Sequence, residues 1–338
     1  MNSSKRWVLK HRPQGEIAPG DLALIEEPIR DLADGEVLVR NVYLSLDPTN
    51  RIWMSDQDQY LPPVQIGETM RGGGIGVVER SRSDHFKQGD VVNPGLAGWS
   101  THTIAAAGAI SPVPQIPGVP LTAFMSVLGG TGLTAWFGMI DIAKPQPGET
   151  VVVSAAAGAV GSVAGQLAKL RGARVIGIAG GKAKCDWLTG ELGFDGAIDY
   201  KNEDVGAALD RLCPNGIDVN FENVGGTIMD AVFSRMNNFS RMTLCGMISS
   251  YNTSGVPAGP SDFSRILMHR IMVKGFIIID YLHRAPEAFA ELGPLVASGQ
   301  LKWKTHVEDG LENAVDALGR LFTGDHDGKL MIRVSPEP

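Results

Sequence analysis

The residues best placed for chemistry stand at Ala156-x-Gly158-x-x-Gly161, in the run SAAAGAVGSV that directly follows the apolar triplet Val151-Val152-Val153. A strand that bends into a helix through residues with little or no side chain brings bare backbone amides and the positive end of a helix dipole to one point. That arrangement holds a pyrophosphate. Gly158 occupies the position of phosphate approach and Gly161 that of close helix packing, while Ala156 replaces the first glycine of the usual pattern. The spacing alone is weak, because small residues also serve helix–strand contacts. The next apolar run, RVIGIA, ends in Gly180-Gly181-Lys182-Ala183-Lys184. An NAD site usually offers an acid there to the ribose hydroxyls, whereas lysines suit a 2′-phosphate, so NADP(H) is the expected cofactor. The plainer alternative is solvated lysines at a helix start. Two later runs, FENVGG with Asn223, Gly225 and Gly226, and LCGMISSYN with Cys245, Gly246 and Tyr251, also end strands. Ligands of open α/β sheets sit beyond such ends, so these loops should face the nicotinamide.

The elements around these residues follow from pattern. Up to about residue 126 the chain consists of short alternating or apolar runs, such as EVLVRNVYLSL and GGIGVVERS, punctuated by Gly, Pro and Asp, which predicts a β-rich domain. Beyond it, strand and helix patterns alternate: ETVVVSA, then AVGSVAGQLAKLRG, ARVIGIAG, KAKCDWLTGELG and GAIDY. Further strands are predicted at GIDVNFENVGG, RMTLCGMIS and MVKGFIIID. Such alternation means a doubly wound parallel sheet. Near the end LENAVDALGRLFTG reads as a helix and KLMIRV as a strand that returns to the first sheet. The expected fold is therefore α/β.

Composition narrows the function classes. The 338 residues are 43% hydrophobic and 20% charged, enough for about two globular domains. A net charge of −7 disfavours nucleic acid and anionic membrane surfaces as partners. Three cysteines without a CxxC pair, and a beginning that lacks a signal-peptide core, suggest a reducing, cytoplasmic setting. No HxxxH or HExxH spacing supports a helical metal site. From Val91 to Ile140 there is no Asp, Glu, Lys or Arg, but repeated prolines and glycines favour buried strands and loops over a membrane span.

Taken together, LSLDPTNRIWM, GETMRGGGIGVV, the stretch from LGGTGLTAWF to KLRG, FENVGG and CGMISSYN resemble the zinc-independent branch of the medium-chain dehydrogenase/reductase superfamily. Within it the chain is similar to the NADP-dependent alkenal double-bond reductases, the group of leukotriene B4 12-hydroxydehydrogenase/prostaglandin reductase and the curcumin reductases. The resemblance implies a GroES-like β-rich domain (residues 1–126 and 304–338), a Rossmann NADP-binding domain (127–303), and an active site in the cleft between them. It implies pyrophosphate contacts at Gly158, Ala159, Val160 and Gly161, and 2′-phosphate contacts at Lys184 and Tyr200. Nicotinamide-side contacts would fall on Asn223, Cys245, Gly246, Ile248, Ser249 and Tyr251, then on Phe276, Ile277 and Ile278. A further cofactor contact would fall on His326, where the family pattern usually carries Asn. A homodimer through a Rossmann-sheet edge near MVKGFIII is implied as well. The pair Thr49-Asn50 after Asp47-Pro48 departs from many eukaryotic members and resembles the bacterial ones.

No cysteine precedes Cys185, so the β-rich domain has no thiolate for the zinc site of the related alcohol dehydrogenases. Hydride delivery to an electrophilic carbon remains, and an α,β-unsaturated aldehyde or ketone fits because the charge collects on an enolate oxygen. Tyr251 is the candidate catalytic donor to that oxygen; its alternative is to pack its loop. The α carbon would be protonated from solvent or through the tyrosine. Thr49, Asn50, Met70 and Arg71 are candidate substrate residues, with Tyr60 and Tyr281 as further ones. Arg71 has a second reading, as a structural ion-pair partner. Two other functions stay open: a quinone reductase of the zinc-free branch, and a non-catalytic NADPH-binding protein.

Overall fold

A computed structural model describes residues 3–253 and 259–338. By contact the chain forms two units: the first takes the chain up to Met125, Tyr251 through Thr253, and Thr305–Pro338; the second takes Ser126–Ser250 and the chain up to Lys304.

The first unit opens with an antiparallel pair, β1 (Ser3–Leu9) and β2 (Leu22–Pro28). The strand β3 (Glu36–Ser45) is buried along most of its length, so it can lie inside a sheet rather than at its border. Asp47-Pro48 then turns the chain into a short helix, α1 (Thr49–Trp53), where proline's fixed φ suits the helix start. The strands β4 (Gly74–Ser81), β5 (Val91–Asn93), β6 (His102–Ala106) and β7 (Ser111–Pro112) follow.

The second unit begins with α2 (Gly130–Trp136), which runs on as a π-helical turn over Phe137–Ala143. It continues through β8 (Thr150–Val153), α3 (Ala159–Leu170), β9 (Arg174–Ala179), α4 (Lys182–Gly190), β10 (Gly196–Asp199) and α5 (Val205–Leu212). Next come β11 (Ile217–Glu222), α6 (Gly226–Phe233), β12 (Met236–Leu244), α7 (Arg265–Met268), β13 (Met272–Gly275) and α8 (Ala285–Ala297). All neighbouring strands are parallel, in the order β10-β9-β8-β11-β12-β13. This is the doubly wound order, with its reversal between β8 and β11, where the chain must leave a crevice beyond the strand ends.

The chain closes with β14 (Thr305–Asp309), α9 (Ala314–Thr323) and β15 (Lys329–Arg333). The strand β15 pairs antiparallel with β3, so the C-terminal segment completes the first unit's sheet.

Two expectations are corrected. The run MVKGFIIID is strand only over Met272–Gly275, and Ile278–Arg284 forms a 3-10 turn instead. Phe276 leaves the sheet to pack beside Phe221 over Gly138, where a Cβ would stand 2.8 Å from Phe276 Cζ and 2.6 Å from Phe221 Cε2. The C-terminal helix likewise starts as a 3-10 turn at Leu311–Asn313. Among the described residues no helix is long and apolar enough to cross a membrane.

Candidate functional site

The turn after β8 is built as the glycine spacing requires. Ala155 takes a left-handed φ of 47°, and its carbonyl accepts the Gly158 amide at 3.0 Å, folding the chain back before α3. A Cβ on Gly161 would lie 2.5 Å from Ala155 O and 2.9 Å from Ala156 Cα, both backbone, so this position admits only glycine without a shift. Ala159 and Val160, half-buried, form the first residues of α3. Three helices begin just beyond strand ends with a glycine cap and no side-chain acceptor: α3 at Gly158, α4 at Gly181 and α6 at Gly225. In contrast, α5 is capped by Asp204, which accepts from Ala207 N. Uncapped amides of this kind, at the positive end of the helix dipole, suit the phosphates of a dinucleotide. The cradle therefore fits an NADP-type group.

At the end of β9 the side chains of Tyr200 and Lys201 fold over Gly180, so a Cβ there would meet Tyr200 Cε1 and Lys201 Cε, each at 2.9 Å. Lys184, half-buried on α4, belongs to the same strand end, whereas Lys182 bonds Asp186 at 2.6 Å on the surface. Asp199 holds the loop by accepting the Gly181 amide at 2.7 Å. Hydrogen bonds from Asn202 and from backbone amides keep its carboxyl below the usual aspartate range. Lys201 and Asp199 are not evident from the glycine motif; the signal was their position one strand further on, in IDYK.

Beyond β8 and β11 a buried polar cluster stitches the loops together. The Asn223 amide donates to Ser154 Oγ, and Asn223 Nδ2 donates to Ser154 O, both at 2.7 Å. Glu222, fully buried, accepts from Val224 N and Gly225 N at 2.7 Å each. Burial pushes its carboxyl up, while these backbone amides and Asn220 oppose the rise. The Glu222 carbonyl accepts the amides of Cys245 and Gly246, and the amides of Ile248 and Ser249 return to the carbonyls of Asn223 and Val224. Burial raises the Cys245 thiol to about 12, so it stays neutral. Sequence reasoning overlooked Ser154 and Glu222, although both flank residues it selected.

In the first unit, α1 and the chain before β4 assemble a second group. Asn50, fully buried, accepts the Asp47 amide at 2.7 Å through Oδ1 and donates to Arg71 O at 3.0 Å through Nδ2. The Thr49 and Tyr60 hydroxyls are hydrogen-bonded, and the Tyr60 ring meets Trp53 edge-on at 6.5 Å. The Arg71 guanidinium lies 5.4 Å from the Trp53 ring centroid. Below this group Lys329, 2% exposed, donates to Leu46 O at 2.6 Å and Leu330 O at 2.8 Å and pairs with Asp47 at 3.2 Å. Tyr251, half-buried, belongs by contact to this unit.

The other expectations fare differently. Met70 is completely buried in the core with Trp53, Met54 and Trp99, so its side chain cannot line a pocket. The Tyr281 ring lies tilted at 40° to Phe137 with centroids 5.0 Å apart and meets Phe276 at 6.1 Å, all within the second unit. The Phe276 ring is buried, and Ile277 and Ile278 follow half-buried. His326 follows α9 in the first unit, with Nδ1 3.2 Å from Arg320 O. Arg71 makes no ion pair among the described residues. Nor does any group of three or more His, Cys, Asp or Glu among them stand where it could hold a metal ion.

The chain matches the N-terminal domain of oxidoreductases over residues 5–113 and the zinc-binding dehydrogenases over residues 159–298. It is 41% identical to the NADPH-dependent curcumin reductase of Escherichia coli (strain K12), over 98% of this chain and 97% of that protein. It is 37% identical to the 2-alkenal reductase (NADP(+)-dependent) of Nicotiana tabacum, over 99% and 98% of the two chains. The crystal structure of CurA from Vibrio vulnificus in complex with NADPH is similar at a TM-score of 0.93 and 42% identity, covering 98% of this chain and 100% of that one.

Proposed function

The chain belongs to the medium-chain dehydrogenase/reductase family, in its NADPH-dependent, zinc-independent group, and from that premise we propose that it saturates the carbon–carbon double bond of α,β-unsaturated aldehydes and ketones. The observation that carries this reading is the glycine-capped start of α3 beside the reversal between β8 and β11, in a chain whose relatives are named as NADPH-dependent curcumin and alkenal reductases. When bound, NADPH supplies the hydride for the β carbon.

The chain's own groups bind and orient. Backbone amides from Gly158 to Gly161 receive the pyrophosphate, and Lys184 with Tyr200 receives the 2′-phosphate. Asn223, tied to Ser154, fixes the loop on the nicotinamide side together with Cys245, Gly246, Ile248 and Ser249. Phe276, Ile277, Ile278 and His326 are further cofactor candidates. Tyr251 donates a hydrogen bond to the carbonyl oxygen on which negative charge collects, and the α carbon takes its proton from water or through that tyrosine. Thr49, Tyr60 and Arg71 form the substrate side, whereas Asn50, as fully buried as Met70, acts behind them by holding the Arg71 backbone.

Every residue of β13 is exposed at the sheet edge, and Phe239, Leu267 and Met268 are each more than 60% exposed in the same unit. An unpaired edge flanked by apolar side chains supports a homodimer in which two such edges meet. Three free cysteines support a cytoplasmic setting. The functional test is a panel of enals, enones and quinones with NADPH and NADH, followed by mass identification of the product. Saturated carbonyl products with NADPH support the reading; hydroquinones from quinones with untouched enones, or NADPH binding without any turnover, overturn it.

A further inference from the structure

We propose that Arg71 selects substrates that carry a carboxylate in addition to the unsaturated carbonyl. The inference rests on the reductase reading above and deepens it by naming a substrate class.

Arg71 is half-buried, and its Nη1 is enclosed without a hydrogen-bond partner. Its environment is an aromatic face, Trp53, with the guanidinium 5.4 Å from the ring centroid. Apart from the exposed Arg80, every other arginine among the described residues donates to a carboxylate or a carbonyl oxygen. A guanidinium stays charged at any pH a protein survives, so it cannot escape the missing acceptor by losing a proton. An enclosed donor on a permanent cation is costly unless something outside the fold satisfies it.

Nearby groups do not fill that role. Asp47 is taken by Lys329 at 3.2 Å and by the Ser45 hydroxyl. Asn50 uses its carboxamide on the Asp47 amide and on the Arg71 carbonyl, which fixes the Arg71 backbone without touching the charge. Thr49 and Tyr60 bond each other. The result is a positioned, unneutralised fork of donors on an aromatic floor. A planar guanidinium matches a carboxylate with two parallel hydrogen bonds, and the contact of Arg71 with the face of Trp53 restricts its position. A neutral carbonyl would leave the positive charge uncompensated. A phosphate of the cofactor has the same chemistry as an acceptor, so the experiment must separate the two sources.

The test compares two enones of equal length, one ending in a methyl group and one in a carboxylate, in the dimer or monomer as purified. The expected wild-type preference in kcat/KM for the acid is about tenfold or more, and it shrinks as salt is added. In Arg71→Leu the acid-to-neutral ratio falls by about tenfold through KM, and Arg71→Lys, which keeps a point charge, restores part of it. NADPH Kd stays within about threefold in each variant, as an anion site on the substrate requires. An unchanged ratio in Arg71→Leu overturns the proposal, as does a loss of NADPH affinity that accounts for the whole effect. Should Arg71→Leu not fold, Arg71→Lys and the salt dependence of the wild-type ratio decide, and a salt-independent ratio near one overturns it. Turnover of neither enone removes the reductase reading and this inference with it.

Discussion

Asn223 and Ser154 grip each other where the sheet reverses: Asn223 gives its backbone amide to Ser154 Oγ and its side-chain Nδ2 to Ser154 O, both at 2.7 Å. The pair fastens the loop after β11 to the turn after β8, the two segments that flank the crevice in which a doubly wound sheet holds its ligand. Asn223→Ala removes the side-chain bond and leaves a carbonyl unpaired in a half-buried loop. The expected cost is about 1–2 kcal/mol in urea unfolding and about a tenfold weaker NADPH Kd. Unaltered Kd in a folded variant would show that the tie does not shape the cofactor site.

Gly161→Ala places a methyl group 2.5 Å from Ala155 O. In an ordinary helix this change is stabilising by about 1 kcal/mol, because alanine is the better helix former. Here the sign reverses, with a cost of about 1–3 kcal/mol and loss of measurable NADPH binding, since the backbone of the turn must move. Thermal unfolding and cofactor titration read the two effects separately.

Lys184→Ala is expected to raise KM for NADPH by about tenfold or more while changing KM for NADH little, because only the former carries the 2′-phosphate. Parallel steady-state kinetics with both cofactors check this. Equal losses would place Lys184 elsewhere in the binding of the dinucleotide.

The sheet, its order and the phosphate turn were legible because small residues and alternating strand and helix patterns are local signals. The run from Thr150 to Val153 is apolar enough to mark a buried strand, and Gly158 and Gly161 mark the bend once the flanking strand and helix patterns are read with them. Side-chain fate was less legible. Met70 sits beside Arg71 in one motif, yet one side chain is sealed in the core and the other lies over Trp53, a split that depends on packing from β1 and α9. Lys329 opens the run KLMIRV, expected as a strand, but the pattern does not announce that its ammonium is buried on Leu46 O, Leu330 O and Asp47, two of them nearly three hundred residues away. Ser154 escaped notice because its partner, Asn223, follows a separate strand. The partners of Glu222 are close in sequence, at Asn220, Val224 and Gly225, and it is the burial of its carboxylate that no local pattern announces.

Lys329 gives a pH signature. Burial holds its ammonium below the usual lysine range, only partly opposed by Asp47. The unfolded chain therefore binds this proton more tightly than the folded one, so the penalty is fully present below the folded pKa. It is relieved as pH rises towards the ordinary value of 10.5. Lys329→Met should be less stable than the wild type by about 3 kcal/mol at neutral pH, since it strands Asp47 and two carbonyls. The gap should widen as pH is raised to about 9. Urea midpoints across that range test the sign, and a gap that narrows contradicts it.

The central claim is that hydride reaches the β carbon of an enone. NADPH carrying deuterium at the transferable C4 position, incubated with the enzyme and a simple enone, tests it most directly. The expected product is the saturated ketone with deuterium on the β carbon by mass spectrometry and NMR. Deuterium on the carbonyl carbon of an allylic alcohol, or no labelled product while the cofactor remains bound, would contradict the account.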